Sequence, residues 1–218
     1  EVLVTTLKKL PRESIIILNV SNRVGKLTKI GLSFRKYCHE KNHKFITSSS
    51  LGMLSNDYLK NVLKTLDVDY KKMHVKGERI KKLLDMGREV HIRTKQGTDL
   101  TMDISGQNSI INSGFYTKKG AGGNLPAGEV YIPPVKNKVE GTLVIDGSMR
   151  LKDKTLKVRN RVELTIKNGE ISKISSNYEG NLFKQTLEWA HKRAKYPWGI
   201  RKIAELGIGI NPNAKIIG

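Results

Sequence analysis

The spacing of apolar residues changes near residue 95, and this change most constrains what the chain can fold into. Before that point, short apolar runs alternate with stretches of helical spacing, a β-α-β-α order that predicts a partly parallel sheet covered by helices. Strands are predicted at residues 2–4, at 15–20 and from Phe45, and helices at 58–66 and 70–84. A further helix is predicted after Ser21-Asn22, with Leu27, Ile30, Phe34 and Tyr37/Cys38 on its apolar face.

Beyond residue 95 the apolar residues recur at every second position, which is typical of strands with one buried face. Hairpins are predicted at residues 90–104 and 164–174, the second turned by Asn168-Gly169. Further strands are predicted at 130–132 and 143–145, and one amphipathic helix at 183–194. We therefore predict an α/β fold, in which residues 1–95 form an α/β domain with a partly parallel sheet and residues 96–218 form a strand-rich α+β domain.

Charge and cysteine content limit the classes of protein that fit. The chain has 40 Lys and Arg against 20 Asp and Glu, a net charge of +20, so a non-catalytic basic module that contacts nucleic acid stays open as an alternative. The basic residues are spread along the chain, and the aromatic content of 6% is low for a surface that stacks on bases. No apolar run reaches the ~20 residues of a membrane span. The single cysteine, Cys38, excludes an internal disulfide and favours a cytoplasmic location.

Two familiar motifs occur without their usual context. Gly25-Lys26 follows a predicted strand, but Leu27 stands where a phosphate-binding loop needs Ser or Thr. Residues 39–43 spell H-E-x-x-H, which on a helix would hold zinc between His39 and His43. Because Asn42 is typical of a helix end, we interpret this segment as the end of a helix, and Cys38 as a packed core thiol.

A glycine-dense loop at residues 120–132 is the strongest candidate for a functional site. Its glycines let the backbone approach another group closely, and Pro126 stiffens it. The loop delivers one carboxylate, Glu129, at the start of a predicted strand, where a charge would be held in a fixed position. Composition alone would still favour a tight turn with a solvated glutamate.

Three segments in one order, residues 124–130, 140–147 and 205–214, closely resemble the thermophilic aminopeptidase family (aminopeptidase T and its leucyl aminopeptidase relatives). Residues 68–70 and 97–100 are similar to further signatures of that family. The resemblance implies a metallo-aminopeptidase that releases N-terminal residues from peptides. It implies two divalent metal ions (zinc, cobalt or manganese), with Glu129 and Glu205 among their ligands, in a catalytic domain that contains residues 96–218.

The same resemblance implies a homodimer and peptide substrates with a free N-terminus. The family's remaining ligands, histidines and an aspartate, are expected beyond Gly218, so we expect the catalytic domain to be incomplete at its C-terminal end. The catalytic base is not identified. Besides the basic binding module, a relative that shares the fold but uses different metal chemistry, such as carbonyl or ring-opening chemistry, stays open.

Overall fold

The computed structural model describes residues 2–20, 26–27, 31–49 and 56–216. The α-helices are α1 (Val2–Lys9), α2 (Phe34–Glu40), α3 (Asn56–Leu66), α4 (Tyr70–Met86) and α5 (Tyr178–His191), with a 3₁₀ turn at Pro197–Gly199. The strands of the first half are β1 (Ile15–Val20), β2 (Lys26–Leu27), β3 (Leu32–Ser33), β4 (Lys44–Ser49), β5 (Glu89–Arg93), β6 (Asp99–Asp103) and β7 (Ile110–Asn112). Those of the second half are β8 (Gly122–Asn124), β9 (Glu129–Ile132), β10 (Val139–Ile145), β11 (Ser148–Arg150), β12 (Thr155–Lys157), β13 (Val162–Lys167), β14 (Glu170–Ile174) and β15 (Leu206–Gly209).

The chain divides into two compact units, each assembled from three separate stretches. Unit 1 contains Glu1–Arg79, Ile111–Val130 and Gly209–Ala214; unit 2 contains Ile80–Ile110, Tyr131–Ile208 and Lys215–Gly218. The predicted domain boundary near residue 95 stays a prediction. None of the helices in the described part of the chain combines the length and the apolar character that crossing a bilayer requires.

Unit 1 is built on a three-stranded sheet of order β1-β4-β8, in which both pairs are parallel. Helices α1 and α2 supply the residues that cover it, and Phe34 of α2 meets Phe45 of β4 edge to face, with ring centroids 5.5 Å apart. The hydroxyl of Tyr37 donates a hydrogen bond of 2.8 Å to the carbonyl of Leu7. The buried core consists of Leu7, Ile16, Phe34, Tyr37, Cys38 and Phe45. The predicted partly parallel sheet is therefore confirmed.

Unit 2 contains an antiparallel sheet of order β14-β13-β10-β6-β5. Both predicted hairpins are confirmed, as the pairs β5-β6 and β13-β14. Asn168 and Gly169 have φ angles of 51° and 71°, the positive values that a two-residue turn of this type needs. Along β13, Val162, Leu164 and Ile166 are buried, as the period of two predicted. The mixture of parallel and antiparallel sheets with helices confirms the α/β class.

Two predictions in the first forty residues are wrong. Residues 2–4 lie in helix α1 and not in a strand, because Leu3, Leu7 and Leu10 share a helical spacing that a three-residue apolar run does not reveal. Helix α2 begins far later than predicted, since the hydroxyl of Ser33 accepts the N–H of Lys36 and caps it. Residues 21–22, the predicted cap, lie outside the described residues.

Candidate functional site

The loop that carries Glu129 leaves the parallel sheet of unit 1 at the carboxyl end of β8. We call residues 120–129 the glutamate loop. Its β8 segment pairs with β4, and the N–H of Leu125 continues the pairing by donating to the carbonyl of Thr47 at 3.0 Å. The hydroxyl of Ser48 then donates to the carbonyl of Leu125 at 3.0 Å. The carboxyl ends of parallel strands are where α/β proteins most often bind ligands, so the loop occupies a favourable place for a site.

Two glycines of this loop are required by close packing. At Gly122, a Cβ atom would lie 2.2 Å from the carbonyl oxygen of Phe45. Gly128 has a φ angle of +130°, and a Cβ atom there would lie 2.4 Å from the Cβ of Asn211. The position of Glu129 is thus set by a residue next to it that can only be glycine.

Asn211 joins three distant segments of unit 1. Its side-chain nitrogen donates to the carbonyl of Ala127 at 2.8 Å and to that of Thr65 at 3.0 Å. The N–H of the preceding residue, Ile210, donates to the carbonyl of Gly128 at 2.9 Å. Ile210 and Asn211, from a segment that carried part of the resemblance, therefore fix the backbone of the glutamate loop.

Polar side chains that the sequence did not single out surround Asn124 at the end of β8. The hydroxyl of Thr47 donates to its Oδ1 at 2.8 Å, and the guanidinium of Arg35 donates to the same oxygen at 3.0 Å. The hydroxyl of Tyr116 donates to Oδ1 of Asn112 and, at 3.3 Å, to the carbonyl of Asn124. Of these side chains, only Thr47 had a detectable signal, because it lies in the strand predicted to start at Phe45.

The two predicted metal ligands belong to different units. Glu129 is partly buried at the first residue of β9, and Glu205 is exposed in the segment before β15. Within the described ranges, no three side chains of His, Cys, Asp or Glu converge as a metal site would require. These residues by themselves do not fit a complete metal centre, so Glu129 and Glu205 stay predictions as ligands.

The H-E-x-x-H segment forms a helix end, as interpreted from the sequence. The N–H of His43 donates to the carbonyl of Cys38 at 2.8 Å and that of Asn42 to the carbonyl of His39 at 3.1 Å, the hydrogen bonds of a Schellman motif. Asn42 has the expected positive φ angle of 58°. His39 is exposed and His43 fully buried, so the two imidazoles do not share a helix face. Cys38 is a packed thiol, and burial raises its pKa to about 11.

A second group in unit 1 has the side chains of a catalytic triad, but its hydroxyl is not accessible to a substrate. Nδ1 of His74 lies 2.9 Å from the hydroxyl oxygen of Ser113, and its Nε2 lies 3.5 Å from a carboxylate oxygen of Glu78. Ser113 is only 2% exposed, and its oxygen accepts the N–H of Phe115 at 3.4 Å. A buried hydroxyl cannot reach a substrate, so this group stabilises the turn after β7.

Comparison with known proteins gives one family. The family model described as "NicX: 2,5-dihydroxypyridine 5,6-dioxygenase" matches residues 34–217. A curated 2,5-dihydroxypyridine 5,6-dioxygenase of Pseudomonas putida (strain KT2440) is 27% identical over 134 residues, which are 61% of this chain and 37% of the relative. The chain thus spans little more than a third of that relative.

Two solved structures share the fold. The 2,5-dihydroxypyridine dioxygenase of Pseudomonas putida KT2440 matches with a TM-score of 0.63 at 16% identity, over 98% of this chain and 76% of that one. Wild-type AmpT of Thermus thermophilus matches with a TM-score of 0.54 at 11% identity, over 92% and 74%. At these identities the likeness concerns the fold alone.

The prediction of a metallo-aminopeptidase is therefore wrong, and so are the peptide substrates predicted with it. The family model and the curated relative are both described as dioxygenases, which are oxidoreductases and not peptide hydrolases. The error has a physical reason. The residues that carried the resemblance include Gly128 and Asn211, which hold a loop in shape, and such residues serve a fold whatever chemistry it supports.

Proposed function

Because the chain belongs to the 2,5-dihydroxypyridine 5,6-dioxygenase (NicX) family, we propose that the protein opens a hydroxylated pyridine ring with molecular oxygen. The match of the family model to residues 34–217 carries this proposal. The name of the curated relative specifies the substrate, 2,5-dihydroxypyridine, and the bond, between ring carbons 5 and 6. We extend both to this protein as part of the proposal, since the matched stretch is 37% of that relative.

In such a reaction the bond between carbons 5 and 6 breaks, and both atoms of one O₂ molecule enter the product. The substrate is the reductant and O₂ the oxidant, so no further electron donor is consumed. Reactions of O₂ with stable organic molecules draw on a metal or another redox cofactor, and a divalent metal ion is consistent with this chemistry. The finer expectation, two ions of zinc, cobalt or manganese at Glu129 and Glu205, stays a prediction, as does the cytoplasmic location.

The residues around the glutamate loop suit a ring with ionised hydroxyl groups. Arg35 uses one N–H on Asn124, and a guanidinium carries five such donors, so within the described part of the chain others are available to bind an oxyanion. Arg35 is exposed, which leaves it accessible to a small molecule. We assign it the binding and orientation of the substrate at the carboxyl end of β8, and we assign Glu129 the fixed negative charge of the site.

The test is ring opening by the intact protein, supplied with iron(II), in ¹⁸O₂. We expect loss of the 2,5-dihydroxypyridine absorbance, consumption of one O₂ for each ring opened, and a product heavier by two ¹⁸O atoms. The variant Glu129→Gln should lose activity and bound metal, whereas Glu163→Gln, at an exposed position of β13, should retain both. A protein that binds metal but consumes no O₂ with this substrate would refute the proposed reaction. Full turnover by Glu129→Gln would refute only the role of Glu129.

A further inference from the structure

Unit 1 contains a cavity of about 630 Å³ beside the first half of α4. This volume lies in the range of small-molecule sites. The cavity is lined by Val68 and Asp69 from one segment that the sequence singled out, and by Pro212 and Asn213 from another. We propose that it binds a small organic anion with an apolar body, such as an aromatic carboxylate or sulfonate. This inference does not rest on the proposed ring-opening reaction.

Three cations on one face of α4 supply the charge. Lys72, Lys76 and Arg79 line the cavity at positions i, i+4 and i+7, which lie above one another on a helix. All three side chains are exposed, and in the described part of the chain none of them forms an ion pair. Neighbouring like charges repel one another, so an anion placed among them would relieve this repulsion as well as be attracted.

Two carboxylates at the cavity limit the charge of the ligand. The carboxylate of Asp69 caps the start of α4, where its Oδ1 accepts the N–H of Lys72 at 2.9 Å. Asp67 also lines the cavity, and its carboxylate would repel an anion. Three cations against two carboxylates leave a small positive excess, which suits a ligand with a single negative charge.

Apolar side chains supply the other half of the recognition. Met73 of α4 and Ile210 are buried where they line the cavity, at 4% and 3% exposure, and Val75 and Pro212 lie beside them. Burying a ring against such side chains stabilises a complex by roughly 25 cal/mol for each Å² removed from water. An inorganic anion would gain none of this, so the cavity favours an organic one.

Hydrogen bonds hold the wall of the cavity that Asn213 forms. The side-chain nitrogen of Asn213 donates to the carbonyl of Asp67 at 2.8 Å and to that of Lys64 at 3.2 Å. Its backbone N–H donates to Oδ1 of Asn211 at 2.9 Å. Because these bonds hold the wall without a ligand, binding would cost little ordering of the protein.

The test compares two double variants of the intact protein that remove the same charge from the same helix. The probe is naphthalene-1-sulfonate, followed by its fluorescence anisotropy, with neutral naphthalene-1-sulfonamide as its uncharged counterpart. Lys72→Gln with Lys76→Gln should weaken binding of the sulfonate about fivefold. The two exposed lysines together contribute up to ~1 kcal/mol to the binding of an anion, which corresponds to that factor. The control, Lys71→Gln with Lys82→Gln, changes exposed lysines of α4 outside the cavity and should shift binding by less than about twofold.

A third variant tests the sign of the charge effect. Asp67→Asn should tighten binding of the sulfonate and leave that of the sulfonamide unchanged. Equal affinity for the two probes, or equal weakening in both double variants, would overturn the proposal. Displacement of the sulfonate by inorganic sulfate at comparable concentration would overturn the assignment of an apolar body. Each readout is an affinity, so loss of the ring-opening activity would not affect the outcome.

Discussion

The imidazole of His43 is fully buried, and among the described residues only one of its nitrogens has a hydrogen-bond partner. Nδ1 lies 3.1 Å from the backbone nitrogen of Ser14 and accepts its N–H, so the proton of the neutral ring is on Nε2, which has no partner in the part of the chain that the structure describes. Burial lowers the pKa of His43, and the positive charges of Lys41 and Arg12 lower it further. The folded protein therefore holds this ring in its neutral form.

This arrangement predicts a loss of stability in mild acid. The pKa of His43 is lower in the folded than in the unfolded state, so its contribution is complete above the unfolded pKa of about 6.5 and decreases as the pH falls below it. We expect the free energy of unfolding to fall by at most about 1.4 kcal/mol per pH unit from this group. His43→Gln should show a shallower decline in urea unfolding between pH 7 and pH 5. The control His39→Gln, at an exposed position, should follow the native protein, and identical slopes for all three would refute the prediction.

At the scale of elements, a carboxylate of α4 holds the loop before β7. Asp85 accepts the N–H and the hydroxyl of Ser109 on Oδ1, at 2.7 and 2.6 Å, and the ammonium of Lys81 on Oδ2 at 2.7 Å. The hydrogen bonds from Lys81 and Ser109 lower the pKa of Asp85 to about 2. Three hydrogen bonds from two residues thus meet on this carboxylate, and the two from Ser109 attach the loop to the helix.

Asp85→Asn should lower the free energy of unfolding by about 1–3 kcal/mol, because it removes a charged acceptor of several hydrogen bonds. The lowered pKa also means that the contribution of Asp85 is complete above about pH 4 and is lost as the pH falls towards 2. Urea unfolding at pH 7 measures the first effect, and hydrogen exchange of residues 105–110 locates it. Glu89→Gln, at an exposed position of β5, should change little. An Asp85→Asn protein as stable as the native one would contradict this account.

Local patterns in the sequence were enough to predict most elements, and the failures have a common cause. The hairpin through Asn168-Gly169 and helices α3 and α4 follow from spacing and turn residues within short windows. Helix α2 does not, because Leu27 belongs to β2 and pairs with Leu32 of β3, although its spacing from Phe34 is helical. An apolar residue at helical spacing is consistent with a buried helix face. Tertiary contacts decide whether a helix forms there.

At the scale of the whole molecule, the charge of +20 opposes compactness. Salt shortens the screening length from about 30 Å at 0.01 M to about 3 Å at 1 M, which weakens repulsion between exposed Lys and Arg. We therefore expect the melting temperature to rise by about 2–4 °C in NaCl, the shift that ~1 kcal/mol produces in a chain of this size. LiCl and KCl at the same ionic strength should act alike if screening is the cause. A melting temperature that falls with salt would contradict the prediction.

The site was harder to predict than the fold. The sequence singled out the glutamate loop by its glycines, and Glu129 with it stays a prediction, but the chemistry was assigned from residues that shape the loop. Arg35 and Tyr116, which surround Asn124, lie 89 and 8 positions away from it and share no local pattern with it. A donor that folding brings into place leaves no trace in a short sequence window, whereas the family is shown by a match over residues 34–217.

The double hydrogen bond of Asn211 has a consequence for synthesis. Thr65 and Ala127 leave the ribosome long before Asn211 does, and the stretch Gly209–Ala214 completes unit 1. The turn before Glu129 therefore lacks the hydrogen bonds from Asn211 until the chain has been synthesised past Ile208. Unit 1 is thus completed only after residues 209–214 have been made, and a nascent chain arrested before residue 209 would expose the turn around Gly128 to proteases that cannot reach it afterwards.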